Sequence, residues 1–306
     1  MSWNLHQDSD LGPLAAVWSA AVQGASQGVF QSFAFARHWA VCFGQEAEMC
    51  IGWRREPPLL LPLVCRGGCW SFLGEGLFDY QDPVGVAGPE VQTAAAEWVA
   101  TRVAGTVRIT GVPATTGWPV FWSGLPWRPA PFAAVPLRGC GRDGLATEHP
   151  RTERRWCAAG VELRPVHEAH ERRLVLDWLL EHKQRNLAAH EQRSVLGPPE
   201  CRWLLAMVEH EAHQTELWQL RRGNDTLAGL LCWVSPAMRY AYTISYDATF
   251  AALSPGVLAL YALLRHTMRE GRSFNFLTGE QAFKQRFATD RELLQRYTND
   301  YGNAQS

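Results

Sequence analysis

Three stretches of this chain carry residue types at spacings suited to chemistry. The first is the turn Ser254-Pro255-Gly256, set between Tyr246-Asp247 and an apolar run that starts at Val257. Glycine lets a ligand come close to the backbone, and proline cannot continue a preceding helix. A helix starting there presents free N–H groups and the positive end of its dipole, which can hold a pyrophosphate. The same letters also make an ordinary helix start capped by Ser254. The second stretch is GEQAFKQRF, residues Gly279 to Phe287. Phe283 and Phe287 share one helical face, and Glu280 and Lys284 share the next. That pairing is either a surface ion pair or an acid/base group beside a cation for a carbonyl or phosphate. The third is GEGLFDYQDP, residues Gly74 to Pro83, with Asp79, Tyr80 and Asp82 among glycines. Loops on rigid scaffolds often carry sites, and aspartates in them also serve as local backbone caps.

Other constellations are weaker. His167 and His170, and His210 and His213, have i, i+3 spacing. Neither pair fits HExxH, and no CxxC pair completes a zinc site, so no metal is expected. No GxSxG elbow supports a serine hydrolase. An arginine-rich run (Arg151, Arg154, Arg155, Arg164, Arg172, Arg173, Lys183, Arg185) is interleaved with Glu153, Glu162, Glu168 and Glu171. It reads as a solvated helix face rather than an anion grip. Lys183 and Lys284 are the only lysines. In a chain that otherwise chooses arginine, Lys284 offers a compact, mobile ammonium, or reflects codon chance.

The elements that must position these residues fall into a repeated order. The first half predicts helices at 13–24 and 32–43. Strands follow at 47–54, 59–64 and 70–73, then a helix at 89–103 and a strand at 107–112. Pro62 places its strand at an edge or a bulge. The second half predicts helices at 168–190 and near 200–210, and strands at 215–221, 226–234 and 239–246. A helix at 257–270 and a strand at 273–277 complete it. Two helices, a three-stranded antiparallel meander, a helix and a strand thus occur twice, so two similar α/β domains are expected in tandem. The boundary is placed at 137/138, giving domains 1–137 and 138–306, with the Gly-, Arg- and Pro-rich segment Pro126 to Pro150 as a surface linker.

Composition agrees with this. The chain has 306 residues, 47% of them hydrophobic, enough for two cores. A formal net charge of -1 argues against broad nucleic-acid binding. No apolar run reaches spanning length and no signal peptide is evident, so a cytoplasmic protein is expected. The eight cysteines read as reduced thiols.

Taken as a set, Tyr246-Asp247, Ser254-Pro255-Gly256, Gly279-Glu280, Phe283-Lys284 and Phe287 resemble the C-terminal domain of CelD-type, cellulose-biosynthesis-associated acetyltransferases of the GNAT superfamily. The loop GLFDYQDPV resembles the same family's N-terminal signature, so the likeness runs from about Phe33 to Phe287. It departs from the pattern at Asn275, Thr278 and Phe287, and it lacks the Arg/Gln-x-x-Gly-x-Gly loop of ordinary GNATs. The aromatic-lysine tail is also similar to FemABX-type peptidyltransferases, which use aminoacyl-tRNA. The resemblance implies a tandem GNAT-like fold, an acyl-CoA donor and transfer to an amine of a small molecule, sugar or peptide. It places the pyrophosphate on Leu253, Ser254, Pro255, Gly256 and Val257. Asp79 or Glu280 would take the amine proton, Tyr246 would protonate the leaving thiolate, and Lys284 would hold developing charge. Tyr80, Asp82, Asp247 and Phe283 would contact substrates. An aminoacyl-tRNA-dependent transferase and a non-catalytic binding protein of the same fold are the alternatives.

Overall fold

A computed structural model describes residues 2–23, 28–131, 137–139, 160–192, 196–279, 281–285 and 287–299. The chain divides into two compact units, residues 1–134 with 293–306, and residues 135–292. Each is a mixed α/β unit built on one seven-stranded sheet flanked by helices.

The first unit contains β1 (Asn4–His6), α1 (Ala15–Val22), α2 (Phe33–Phe43), β2 (Ala47–Arg54), β3 (Leu59–Arg66), β4 (Cys69–Phe72), α3 (Pro89–Ala100), β5 (Thr106–Pro113), α4 (Pro119–Gly124) and β6 (Arg128–Pro131). β14 (Leu294–Thr298) returns from the chain end, and the strand order is β1-β2-β3-β4-β5-β14-β6. β2, β3 and β4 form the expected antiparallel meander, and β5 lies parallel to β4 after the α3 crossover. The core is tryptophan-rich, with Trp70, Trp98, Trp118, Trp122 and Trp127 around Leu61, Leu63 and Ile109. Ser32 caps α2 by accepting from the Phe35 N–H, and Pro89 opens α3 at a position where no N–H is needed.

Pro62 sits in an interior strand, not at an edge. Its carbonyl accepts from Leu73 N–H, so its ring nitrogen faces the β4 side. β4 has ended there, so the one bond that the missing N–H costs lies past the last paired residue of that strand. The expected domain boundary also shifts. Leu137–Gly139 (β7) already belongs to the second sheet, whereas β14 pairs with β5 and β6 of the first. The physical reason is the exposed ladder of β5, which the returning tail covers. The predicted linker therefore contributes two strands, β6 and β7, and residues 132–136 and 140–150 of it lie outside the described residues.

The second unit repeats the plan. It contains β8 (Val161–Val166), α5 (Ala169–Ala189), α6 (Pro198–His210), β9 (Thr215–Arg222), β10 (Asp225–Val234), β11 (Met238–Tyr246), α7 (Pro255–Arg269), β12 (Ser273–Asn275), α8 (Ala282–Gln285) and β13 (Asp290–Arg291). The order is β8-β9-β10-β11-β12-β7-β13, with β11 and β12 parallel and the β9–β10–β11 meander antiparallel. α7 buries Leu258, Ala259, Leu260, Leu263 and Leu264 against Leu230, Cys232 and Phe274. Each such leucine contributes about 1.5–3 kcal/mol, which fixes the helix and its N-terminus in place. β12 is shorter than expected. The Asn275 side chain accepts from Leu277 N–H at 2.8 Å, and Leu277 takes a left-handed φ of 55°, which ends the strand.

Candidate functional site

The turn before α7 differs from an ordinary helix start. Ser254 is left-handed (φ 50°, ψ 53°) and its side chain makes no capping bond. Its carbonyl receives the first helical bond, from Leu258 N–H. Pro255 has no N–H, so among the described residues the amides of Gly256 and Val257 are left unbonded at the helix end. A methyl group on Gly256 would meet Tyr246 Cδ1 at 3.4 Å and Ile244 Cδ1 at 3.8 Å, so the turn lies directly on the end of β11.

β11 offers a second row of donors. Asp247 N–H bonds the Leu227 carbonyl on the β10 side. Backbone direction alternates along a strand, so the N–H groups of Ile244 and Tyr246 point to the other side. β12 pairs with β11 only at Met238, Arg239 and Tyr240, so beyond Tyr240 the two parallel strands part. Among the described residues the amides of Ile244 and Tyr246 have no partner on that side.

α5 closes the opposite wall. Asn186 Nδ2 donates to Tyr246 O at 2.9 Å and to Ser245 Oγ at 3.2 Å, pinning the helix to the strand end. Lys183, Asn186, Leu187 and His190 follow i, i+3, i+4, i+7 and form one stripe along it. Together α5, the end of β11, the turn and Gln281 enclose a cleft of about 460 Å³. Burial holds the Lys183 ammonium below the usual lysine range.

The structure distributes the predicted site residues unevenly. Tyr246, Ser254, Pro255, Gly256 and Val257 meet in this cleft. Leu253 packs on the hydrophobic core and is not among the cleft-lining residues. Asp247 accepts from the N–H and hydroxyl of Thr249, capping the short helical segment Ala248–Leu253. Lys284 Nζ donates to the carbonyls of Phe276 (2.9 Å) and Thr278 (3.0 Å), tying α8 to the end of β12. Its spacing suggested a group facing substrate; its contacts are those of a backbone clamp. Glu280 and the side chain of Phe283 lie outside the described residues.

Asp79, Tyr80 and Asp82 belong to the first unit. Asp79 is half-buried, and its carbonyl packs where Gly111 has no side chain. Tyr80 is fully buried against Phe30. Asp82 is buried, accepting from Trp122 Nε1 at 2.8 Å and from the Thr116 hydroxyl. Burial pushes its carboxyl up to about 7 despite those hydrogen bonds. Tyr80 and Asp82 are thus buried within the first unit.

Sequence reasoning missed the α5 wall. The arginine-rich run splits: Arg173 pairs with Glu209 and Arg185 with Glu181 on exposed ground, while Arg172 is buried on the carbonyls of Val208 and Thr215. Among the described residues of that run, Lys183 alone lines the cleft. The stripe spacing and the rarity of lysine were the available signals. Also missed was Arg239, buried and hydrogen-bonded to Glu216 (2.7 and 3.0 Å), Glu270 (3.0 Å) and Thr267 (2.5 Å). It joins β9, β11 and α7.

Residues 148–285 match the family described as an acetyltransferase (GNAT) domain. No curated protein sequence matches the chain. Among solved structures, a conserved protein of unknown function from Bacteroides thetaiotaomicron aligns at 12% identity over 97% of this chain and 99% of its own, with a TM-score of 0.63. The C-terminal domain of a putative lysylphosphatidylglycerol synthetase from Agrobacterium fabrum aligns at 16% identity over 92% of each chain (TM-score 0.61). FemX aligns at 11% identity over 97% of each chain (TM-score 0.60). At these identities the likeness is one of fold, and it extends over both units. Among the described residues no helix is long and apolar enough to cross a membrane.

Proposed function

We propose that the second unit binds an acyl-CoA and passes its acyl group to an amine. The observation that carries this reading is the meeting of two sets of open backbone donors in one cleft. Gly256 and Val257 N–H groups stand at the start of α7, and Ile244 and Tyr246 N–H groups stand where β11 leaves β12. The first set suits a pyrophosphate. The second suits a carbonyl oxygen that gains negative charge as an amine attacks it. Gly256 leaves room for the ligand at the turn. Tyr246 lines the cleft and is the group to protonate a departing thiolate. The match of residues 148–285 to an acetyltransferase domain supports the reaction class. A small molecule, sugar or peptide supplies the amine, and Glu280 would take its proton.

A second reading has support of its own. The fold likeness to FemX and to the putative lysylphosphatidylglycerol synthetase spans both units. With the FemABX-like Phe283-Lys284 tail, it favours an aminoacyl-tRNA donor in the same cleft. Calorimetry with acetyl-CoA, longer acyl-CoAs and charged tRNA separates the two. Binding of an acyl-CoA supports the first reading. Binding of charged tRNA alone, with affinity falling steeply as salt rises, replaces it with the second.

A further inference from the structure

Among the described residues Lys183 has no counter-ion. Among the described residues that line the cleft there is no carboxylate; the titratable groups facing it are Lys183 itself, His190 at the end of α5 and Tyr246 on β11. The turn and the start of α7 contribute only uncharged residues. On its own helix, the positions one turn away are Leu179, Leu180, Asn186 and Leu187. Glu181 is taken by Arg185 at 2.5 Å, and Asp247 by Thr249. Glu280, next to the lining residue Gln281, lies outside the described residues. The ammonium therefore enters a partly desolvated cleft with nothing described there to balance its charge, an arrangement that costs free energy until an anion arrives.

We infer that Lys183 is the ligand-binding cation of this cleft and takes a phosphate group of a nucleotide-type donor. The inference rests on reading the cleft as the donor site. Phosphate is favoured because the opposing wall supplies N–H donors at Gly256 and Val257, and a tetrahedral oxyanion accepts from several directions at once. A lysine suits this task as a compact point charge on a flexible stem. Burial alone lowers the proton affinity of the free amine. An arriving phosphate reverses that effect, so binding takes up a proton when the pH lies near the lowered value.

The test is calorimetric titration of the full chain with inorganic pyrophosphate and with CoA, at a series of pH values below the ordinary lysine value of about 10.4, in buffers of contrasting ionisation enthalpy. Wild type should bind both, with proton uptake. Lys183→Met should weaken both by about tenfold or more. Lys183→Arg keeps the charge but does not titrate, so it should retain much of the binding and lose the uptake. It also serves as the test if the methionine variant fails to fold. Equal binding by wild type and Lys183→Met, or unaltered uptake in Lys183→Arg, overturns the inference and leaves the donor reading intact. Lys183-dependent binding of pyrophosphate with none of CoA keeps the inference and sinks the donor reading. If wild type binds neither probe, both fall.

Discussion

Asp82 makes stability depend on pH in a way the structure allows to be worked out. Its carboxyl is buried, accepts from the Trp122 indole N–H, the Thr116 hydroxyl and the Gly117 backbone N–H, and has no cation among these partners. Burial moves it from an ordinary 3.8 to about 7. The sign follows directly. Between those values the folded state holds a proton that the unfolded state has released, so stability falls as pH rises. The protonated form stabilises fully below about 3.8, and that contribution is lost as pH climbs through about 7. At about 1.36 kcal/mol per pH unit, the span is about 4 kcal/mol. Asp82→Asn keeps the size and the acceptor for Trp122 but cannot ionise. Its amide can donate to the Thr116 hydroxyl oxygen in place of the bond the carboxylate accepted. Urea denaturation of wild type and variant should be followed at steps from about pH 5 to about pH 8.5, with the difference between them taken at each step. All other titrating groups cancel in that difference. The variant should gain on wild type by several kcal/mol toward the alkaline end. A gap that stays constant with pH would refute the argument, because it would mean that Asp82 ionises as readily inside the protein as outside it.

Other substitutions have equally definite outcomes. Gly256→Val should lower CoA affinity by about tenfold or more, since its branches project past the space a single methyl fills beside Tyr246 and obstruct two donors to an anion. Gly256→Ala should change it little, and unchanged affinity in the valine variant would reduce the turn to a plain helix start. Lys284→Met leaves the Phe276 and Thr278 carbonyls without their shared donor and should cost about 1–3 kcal/mol, read as a lower denaturation midpoint. Undiminished stability would speak against the clamp. Arg239→Met removes the buried partner of Glu216 and Glu270, which keep only the half-buried Arg272 beside them, and should cost about 1.5–3 kcal/mol. Because Arg239 helps hold the Glu216 carboxyl below its usual range against the upward pull of burial, that loss should shrink in acid, where Glu216 is protonated.

Much of the fold was legible because its signals are local. The α7 apolar stripe, the Gly88-Pro89 opening of α3 and the Gly223-Asn224 hairpin each sit within a few residues of the structure they specify. The repeated order of elements predicted two like units, and the parallel β4–β5 and β11–β12 pairs meet that expectation. β7 and β14 were not legible. Each is short, and each is a strand only because a distant ladder needs a partner.

The candidate site divides along the same line. By itself the sequence located the turn at Ser254, Pro255 and Gly256 and the strand end at Tyr246, because glycine, proline and an apolar period state their conformational needs locally. Only tertiary structure decided what surrounds them. Burial made Asp82 and Tyr80 core residues, since a carboxylate and a phenol look the same in sequence whether water or tryptophan faces them. Two carbonyls claimed Lys284, although its spacing suggested a group facing substrate. The packing of α5 on β11 turned Lys183, one charge among many in an arginine-rich run, into a cation inside a cleft. Whether a charge is solvated, paired or left waiting for a ligand depends on neighbours far away in sequence, and folding supplies them.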